Sequence, residues 1–222
     1  MEAAEFGTWE SYFYPETYSR STGQGVMRNL FGVRHADVLR DMEYAATMTR
    51  QLELGSGRVR IERNYDAGHL RAIHGYLFQD VYQWAGQFRT VGISKGVTAF
   101  ADPGSGELER YLADVHLLAA GTDWQGLDRA GFIDRAARVF AYLNQAHPFR
   151  EGNGRTAKVF MAHVAEQSRY RLVFAWVSPE AWNQASAFSG PDKGGYEPHH
   201  DELMPVFDVV TAERGMPASP GN

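Results

Sequence analysis

HPFREGNGRTAK, at residues 147–158, joins two segments that have helical periodicity. Apolar side chains recur at steps of three and four in residues 128–146, and the same spacing returns in residues 156–167. Pro148 disfavours helical geometry in the residue before it, so the first helix should end there. The second helix should begin near Arg155. This stretch therefore predicts a sharp corner between two helices.

The corner has the composition of an anion site. Gly152 and Gly154 leave the backbone uncovered, and backbone N–H groups that lead into a helix N-terminus bind phosphate readily. Arg155 and Lys158 are three residues apart and share one face of the first helical turn. Cations are unfavourable at a helix N-terminus, so two of them there indicate a bound polyanion that compensates their charge.

Two further residues of the corner suggest chemistry. Glu151 precedes the turn, where a carboxylate could hold a divalent cation that bridges phosphates, since Mg²⁺ usually takes one or two protein carboxylates. The imidazole of His147 could act as a general base toward an attacking hydroxyl. The plain alternative is a helix corner whose histidine is a cap and whose glycines serve geometry alone. The whole string favours the site.

Most of the remaining chain also has helical periodicity. The other helical segments are residues 30–54, 65–84, 108–119, 179–188 and 202–213. In the first of them the recurring apolar residues include Val38, Met42, Ala45 and Met48. Residues 88–100 differ, because partial alternation, β-branched residues and glycines predict a short β-hairpin. The fold class predicted is mainly α, with one hairpin.

Composition limits the class of protein. The chain has 222 residues, a formal charge of −5 and a hydrophobic share of 44%, which is typical of a folded domain. It has no cysteine, so disulfides and thiolate chemistry are excluded. The first 30 residues have no apolar core of a signal peptide, and the longest apolar run, Leu172–Val177, is too short to span a bilayer. We expect a soluble, cytoplasmic protein with no membrane and no nucleic acid as direct ligand.

The string at residues 147–158 resembles the Fic family signature, His-x-Phe-x-(Asp/Glu)-Gly-Asn-Gly-Arg-x-x-Arg. Residues 82–91, YQWAGQFRTV, followed by ISKG at 93–96, are similar to the family's segment that enters its β-hairpin flap. The similarity covers about Tyr65 to Val210. It implies a Fic domain at residues 65–212, a helical N-terminal arm at 1–64 packed on it, and a flexible tail at 213–222.

The resemblance implies a protein adenylyltransferase, which moves AMP from ATP to a hydroxyl of a target protein and releases pyrophosphate. His147 would be the general base and Glu151 the ligand of Mg²⁺ or Mn²⁺. The implied nucleotide-binding residues are Lys95, Gly96, Gly152, Asn153, Gly154, Arg155, Lys158, Trp182 and Ser189. The flap residues implied to register the target are Ile93, Ser94 and Val97.

One position departs from the signature. Lys158 stands where the family has arginine, which keeps the charge and loses the planar two-pronged donor. Because this position is associated with the γ-phosphate, two alternatives stay open. The enzyme could transfer another group, such as phosphate or a different nucleotide, or it could be a silenced Fic module that only binds proteins.

An absent motif bears on regulation. Family members are often restrained by a helix with Ser/Thr-x-x-x-Glu-Gly/Asn, whose glutamate pairs with the final cation of the signature. In this sequence only Glu151 is followed by Gly or Asn, and His147 lies four residues before it. The chain is therefore either constitutively active or restrained by a separate small antitoxin-like chain. We favour the second.

Rival motifs carry less weight. Gly92-Ile93-Ser94-Lys95-Gly96 fits the nucleophile elbow of hydrolases, but the residues after it are poor helix formers. The cluster at 199–202, HHDE, lacks metal-ligand spacing and is better interpreted as a solvated helix start. His69, His74, Trp84 and Trp124 are interpreted as ordinary packing residues. No Walker motif is present.

Overall fold

The computed structural model describes residues 6–95 and 98–215. Within these ranges the chain forms seven helices: α1 (Ala36–Gly55), α2 (Ala67–Phe78), α3 (Glu107–Ala120), α4 (Arg129–Ala146), α5 (Asn153–Ala165), α6 (Pro179–Phe188) and α7 (Met204–Val210). Short 3₁₀ turns lie at Glu10–Tyr12, Pro15–Thr17, Phe174–Trp176 and His200–Leu203. No helix in the described ranges is long and apolar enough to cross a membrane.

Two small antiparallel sheets accompany the helices in the described ranges. The predicted hairpin is confirmed: β1 (Ser94–Lys95) pairs with β2 (Thr98–Ala99), with Ser94 opposite Ala99. The second sheet, β3 (Tyr170–Leu172) and β4 (Thr211–Glu213), was not predicted. The prediction of a last helix over 202–213 is wrong at its end, because the helix stops at Val210 and the chain then pairs with β3.

Helix α4 lies at the centre of the core. Its predicted apolar stripe is confirmed, since Phe132 and Ala136 are fully buried and Phe140 and Leu143 nearly so. Asp128 caps the helix by accepting a hydrogen bond from the N–H of Gly131 at 2.8 Å. The helix packs against α3, α5 and α7. This packing fixes the position and direction of the helix end that precedes the corner.

Residues 6–30 contribute Phe6, Tyr12 and Val26 to the same hydrophobic cluster. Tyr12 and Phe13 are 3% exposed, and the ring of Tyr12 lies edge-on to Trp84 at 5.7 Å between centroids. Arg150, in the corner, lies over Trp9 with its guanidinium carbon 3.8 Å from the ring centroid. The segment is therefore packed against the loop that joins α4 to α5.

Helix α1 corrects a sequence-based expectation. Its recurring apolar residues Val38, Met42, Ala45 and Met48 face solvent, as does Leu52. The buried residues of the helix are Leu39, Glu43, Thr47 and Leu54. The periodicity correctly predicted a helix with an apolar face. It did not predict that this face points to solvent and that the opposite face packs on the core. The physical reason lies at the corner, where polar partners bind Glu43 and Thr47.

Candidate active site

His147 ends α4 in a left-handed conformation, with φ 42° and ψ 58°. Its N–H donates to the carbonyl of Leu143 at 3.1 Å and closes the helix. The imidazole stacks on the ring of Phe100, with 3.8 Å between centroids and 15° between planes. Few non-glycine residues adopt such a φ, so the chain turns sharply where this imidazole stands. The helix ends where the sequence predicted.

Side-chain hydrogen bonds shape the loop after His147. The amide of Asn153 accepts from the N–H of Phe149 at 2.8 Å and donates to its carbonyl at 2.7 Å. His74 accepts from the N–H of Gly86 through Nδ1 at 2.8 Å, so its Nε2 carries the hydrogen that is donated to the carbonyl of Glu151 at 3.1 Å. Burial lowers the pKa of His74 to about 3, so it stays neutral here.

Helix α5 begins at Asn153, two residues before the predicted start, because Gly152 serves as its left-handed cap with φ 80°. A Cβ on Gly152 would lie 2.2 Å from the ring of Phe78, so the backbone approaches closer than any side chain allows. The first helical bond runs from the N–H of Thr156 to the carbonyl of Gly152 at 3.0 Å. The N–H groups before Thr156 have no partner within the helix and are available to an anion.

The corner lines a cavity of about 680 Å³. Helices α4, α5 and α6 form its walls, and Phe100 from the flank of the hairpin reaches it. The predicted site residues that line it are His147, Glu151, Gly152, Asn153, Gly154, Arg155, Lys158 and Trp182. Thus the imidazole of His147, the carboxylate of Glu151, the glycine turn and both cations of α5 meet at one cavity that is large enough for a nucleotide.

Glu151 presents a lone carboxylate to this cavity. Its side chain is 43% exposed, and Oε1 accepts from the N–H of Gly152 at 3.0 Å. The Arg155 Nη2 atom is 3.9 Å away. The described residues hold no group of three or more acidic or histidine side chains that could bind a metal by themselves. The site therefore suits a cation that takes one protein carboxylate and completes its shell with other oxygens.

Arg155 is paired inside the protein. Its Nη1 donates to the hydroxyl of Thr47 at 3.0 Å, and its Nη2 forms an ion pair with Glu43. The hydroxyl of Tyr82 donates to the same carboxylate, and burial raises the pKa of Tyr82. The charge that an external polyanion was expected to compensate is thus balanced by a glutamate of α1, 112 residues away along the chain.

Lys158 has a different environment. Its Nζ lies 5.4 Å from the ring centroid of Trp182 and 5.6 Å from that of Phe174. Burial lowers the pKa of this half-buried ammonium. Among the described residues it forms no ion pair with a carboxylate. Of the two cations on the first turns of α5, only Lys158 lacks an ion pair within the part of the chain that the structure describes.

The two residues predicted near adenine and ribose, Trp182 and Ser189, have different surroundings. Trp182 is 5% exposed, packs edge-on against Phe140 and lines the cavity. Ser189 is fully buried, and its hydroxyl donates to the carbonyl of Ser186 at 3.0 Å. Ser189 is not among the residues that line the cavity, and its contact with a nucleotide stays a prediction. Asn183, which the sequence did not single out, lines the cavity instead.

The hairpin is described only in part. Ile93 and Ser94 lie on its first flank, where the carbonyl of Ile93 accepts from the N–H of Phe100 at 3.2 Å. Gly96 and Val97 lie outside the described residues, as does the side chain of Lys95. Because β2 follows β1, the strand-then-helix order of a nucleophile elbow is absent from the described flanks.

The histidines at 199 and 200 pair with carboxylates separately. His199 lies 3.3 Å from Asp192, and His200 lies 3.1 Å from Asp134. They join no metal-type cluster within the described residues. The metal alternative for this segment gains no support.

Comparison with known proteins identifies the family. Residues 64–165 match the Fic/DOC family. The probable protein adenylyltransferase Fic of Escherichia coli is 32% identical over 208 residues, which are 93% of this chain and 94% of that protein. The chain belongs to the Fic/DOC family. The resemblance stated from residues 147–158 is thereby confirmed.

Two further relatives define how much is shared. The protein adenylyltransferase VbhT of Bartonella schoenbuchensis is 36% identical over 181 residues, and this Fic chain spans only 36% of its length. The N-terminal Fic domain of a Bartonella quintana effector, solved with bound ADP, superposes with a TM-score of 0.76 at 26% identity, covering 92% of this chain and 95% of that one. The mainly helical Fic fold is confirmed.

Proposed function

We propose that this Fic chain is a protein adenylyltransferase that transfers AMP from Mg-ATP to a Ser, Thr or Tyr hydroxyl of a target protein and releases pyrophosphate. The observation that carries the proposal is the meeting of the His147 imidazole and the N-terminus of α5 at one cavity. The relatives named as adenylyltransferases support the same activity.

The phosphates of ATP fit against the start of α5. The N–H groups that precede Thr156 have no partner within the helix, and they meet the positive end of the helix dipole. Lys158 supplies the uncompensated charge. Glu151 would hold Mg²⁺, and the metal, when bound, would draw charge from the phosphate oxygens in the transition state.

His147 is positioned for proton transfer. In the proposed step a target hydroxyl oxygen attacks the α-phosphorus, and the bond from that phosphorus to the bridging oxygen of pyrophosphate breaks. The imidazole takes the hydroxyl proton, and pyrophosphate leaves with its electron pair. The stacking on Phe100 holds the ring at the cavity wall. The flap beside it would align the target segment by strand-like pairing at Ile93 and Ser94.

The label on ATP tests the reaction. The protein is incubated with a bacterial lysate, Mg²⁺ and either α- or γ-labelled ATP. AMP transfer places the α-label on protein, whereas the γ-label on protein would mean phosphate transfer and contradict the proposal. His147→Ala should abolish the α-labelling at unchanged stability, and His199→Ala, which changes a half-exposed histidine outside the cavity, is the matched control. Labelling by His147→Ala at the wild-type rate would disprove the base assignment.

The metal assignment has its own test. Calorimetry with ADP, with and without Mg²⁺, should show metal-enhanced binding to the native chain and loss of that enhancement in Glu151→Ala. An unchanged metal titration in the variant would assign the ion to other groups. The same measurement separates an enzyme from a silenced protein-binding module, since the module should show little Mg²⁺-dependent nucleotide binding.

Lys158 also suggests the partner. We propose that a small separate chain restrains the enzyme by pairing a glutamate with this ammonium, because no described carboxylate does so. Co-expression of the neighbouring reading frame should suppress labelling by the native chain. Lys158→Gln should keep residual labelling but lose its sensitivity to that chain. Equal suppression of both proteins would contradict the pairing.

A further inference from the structure

Arg89 is a buried cation that binds four backbone carbonyls. It is 2% exposed and lies within the segment that enters the flap. Its Nε donates to the carbonyl of His147 at 2.7 Å, and its Nη1 donates to that of Val91 at 2.8 Å. Its Nη2 donates to Ala101 at 2.5 Å and to Ala146 at 3.2 Å. One guanidinium thus joins both flanks of the hairpin to the last residues of α4.

The chemistry of these partners is unusual for a buried charge. A buried cation normally pairs with a carboxylate, because desolvation of the charge is costly. Here no carboxylate is the partner. The last carbonyls of α4, which carry the negative end of the helix dipole, bind the guanidinium instead. Burial lowers the pKa of Arg89 to about 10, so it remains charged at neutral pH. A lysine could not reach all four carbonyls, since it lacks the planar fork.

Neighbouring contacts reinforce the same junction. The backbone N–H of Arg89 donates to the carbonyl of Pro148 at 2.9 Å, and the N–H of Ala101 donates to that of Gln145 at 3.0 Å. The side chain of Gln145 donates to Ala99, in β2, at 3.1 Å. By contrast, the turn at the start of α5 is held by His74 and Asn153, whose hydrogen bonds go to Glu151, Gly86 and Phe149 and not to Arg89. The junction and the phosphate turn are supported separately.

We propose that Arg89 is a positioning residue that locks the flap and the backbone of His147 into one unit, so that a target hydroxyl presented by the flap arrives within reach of the imidazole. This inference rests on the proposed adenylyl transfer. It assigns to Arg89 no contact with nucleotide. Its loss should therefore impair transfer to protein while nucleotide binding is preserved.

The test compares Arg89→Lys with Arg71→Lys. Arg71 donates through Nε to the carbonyl of Gly86 at 3.0 Å, in the same segment, but has no hydrogen bond to His147 or to the described residues of the flap. Amide hydrogen exchange should accelerate at least tenfold in Arg89→Lys, both at residues 91–94 and 99–101 and at the end of α4. It should stay unchanged in Arg71→Lys. The rate of protein labelling from α-labelled ATP should fall about 10- to 100-fold, with the dissociation constant for ADP unchanged within about twofold.

The outcomes separate the two proposals. Unchanged exchange at the flap in Arg89→Lys, or a loss of ADP binding parallel to the loss of labelling, would overturn the positioning role. If the native chain labels no protein at all, the proposed function fails. The exchange data then still decide whether Arg89 joins the flap to α4.

Discussion

Gly152 and Gly154 lie two residues apart in one turn but have different surroundings. Gly152 has φ 80° and faces the ring of Phe78, whereas a Cβ on Gly154 would meet nothing within 4 Å. The signature string contains both glycines, and the sequence does not distinguish them. The structure indicates that Gly152 is required for the backbone geometry and that Gly154 leaves space beside the cavity.

Gly152→Ala should lower the free energy of unfolding by about 3 kcal/mol, because a left-handed backbone and a clash with Phe78 add together. Gly154→Ala should change it by less than about 1 kcal/mol, since alanine is well tolerated in a helix. Urea unfolding of both variants measures the difference. Equal destabilisation by the two substitutions would contradict the close approach at Gly152.

At the scale of elements, α1 is oriented by its polar residues. Leu39 is 5% exposed and Leu52 66% exposed. The ion pair of Glu43 with Arg155, together with the bond from Arg155 to Thr47, turns that side of the helix toward the corner. The helix consequently leaves much of its apolar surface in solvent. Element orientation here follows from a few charged contacts more than from the amount of apolar surface.

Leu39→Ala should therefore destabilise the protein by about 3 kcal/mol, as truncation of a buried leucine generally does. Leu52→Ala should change stability by no more than about 0.5 kcal/mol. The two substitutions are chemically identical and lie on the same helix, so thermal or urea unfolding compares the two faces directly. A larger loss at Leu52 would mean that α1 presents the opposite face to the core.

At the scale of the whole molecule, three buried histidines tie α2 to α5 and to the corner. His69 donates through Nε2 to Nδ1 of His163 at 2.9 Å, because its own Nδ1 accepts from the N–H of Tyr65. Burial lowers the pKa of His69 to about 4 and that of His163 to about 3, as it does for His74. All three remain neutral in the folded protein at mildly acidic pH.

Stability should therefore fall as the pH drops from about 6.5 to 5. The unfolded chain protonates these histidines near their ordinary pKa of about 6.5, while the folded protein does not, so acid favours unfolding. Each histidine contributes up to about 1.4 kcal/mol per pH unit. Urea unfolding across this range should show a shallower slope for His69→Gln than for the native chain. An identical slope in His69→Gln would contradict the neutral buried state.

Local sequence information located the corner correctly. A proline after His147, two glycines and two flanking apolar patterns each act within a few residues, so the helix ends and the hairpin could be predicted. The assignment of roles within the string came from the family resemblance, and those roles stay predictions. The three-residue strands β3 and β4 were not predicted, because they have no periodicity of their own and pair across about 40 residues of the chain.

The sequence by itself determined the mainly helical class, the family and the place of the turn between α4 and α5, because each depends on neighbouring residues in the chain. Only the tertiary structure decided that Glu43 compensates Arg155, that Lys158 pairs with no carboxylate of the described residues, that Ser189 is buried and that Arg89 joins the flap to α4. These facts depend on which distant groups meet, and on the burial of charge, which linear spacing does not encode.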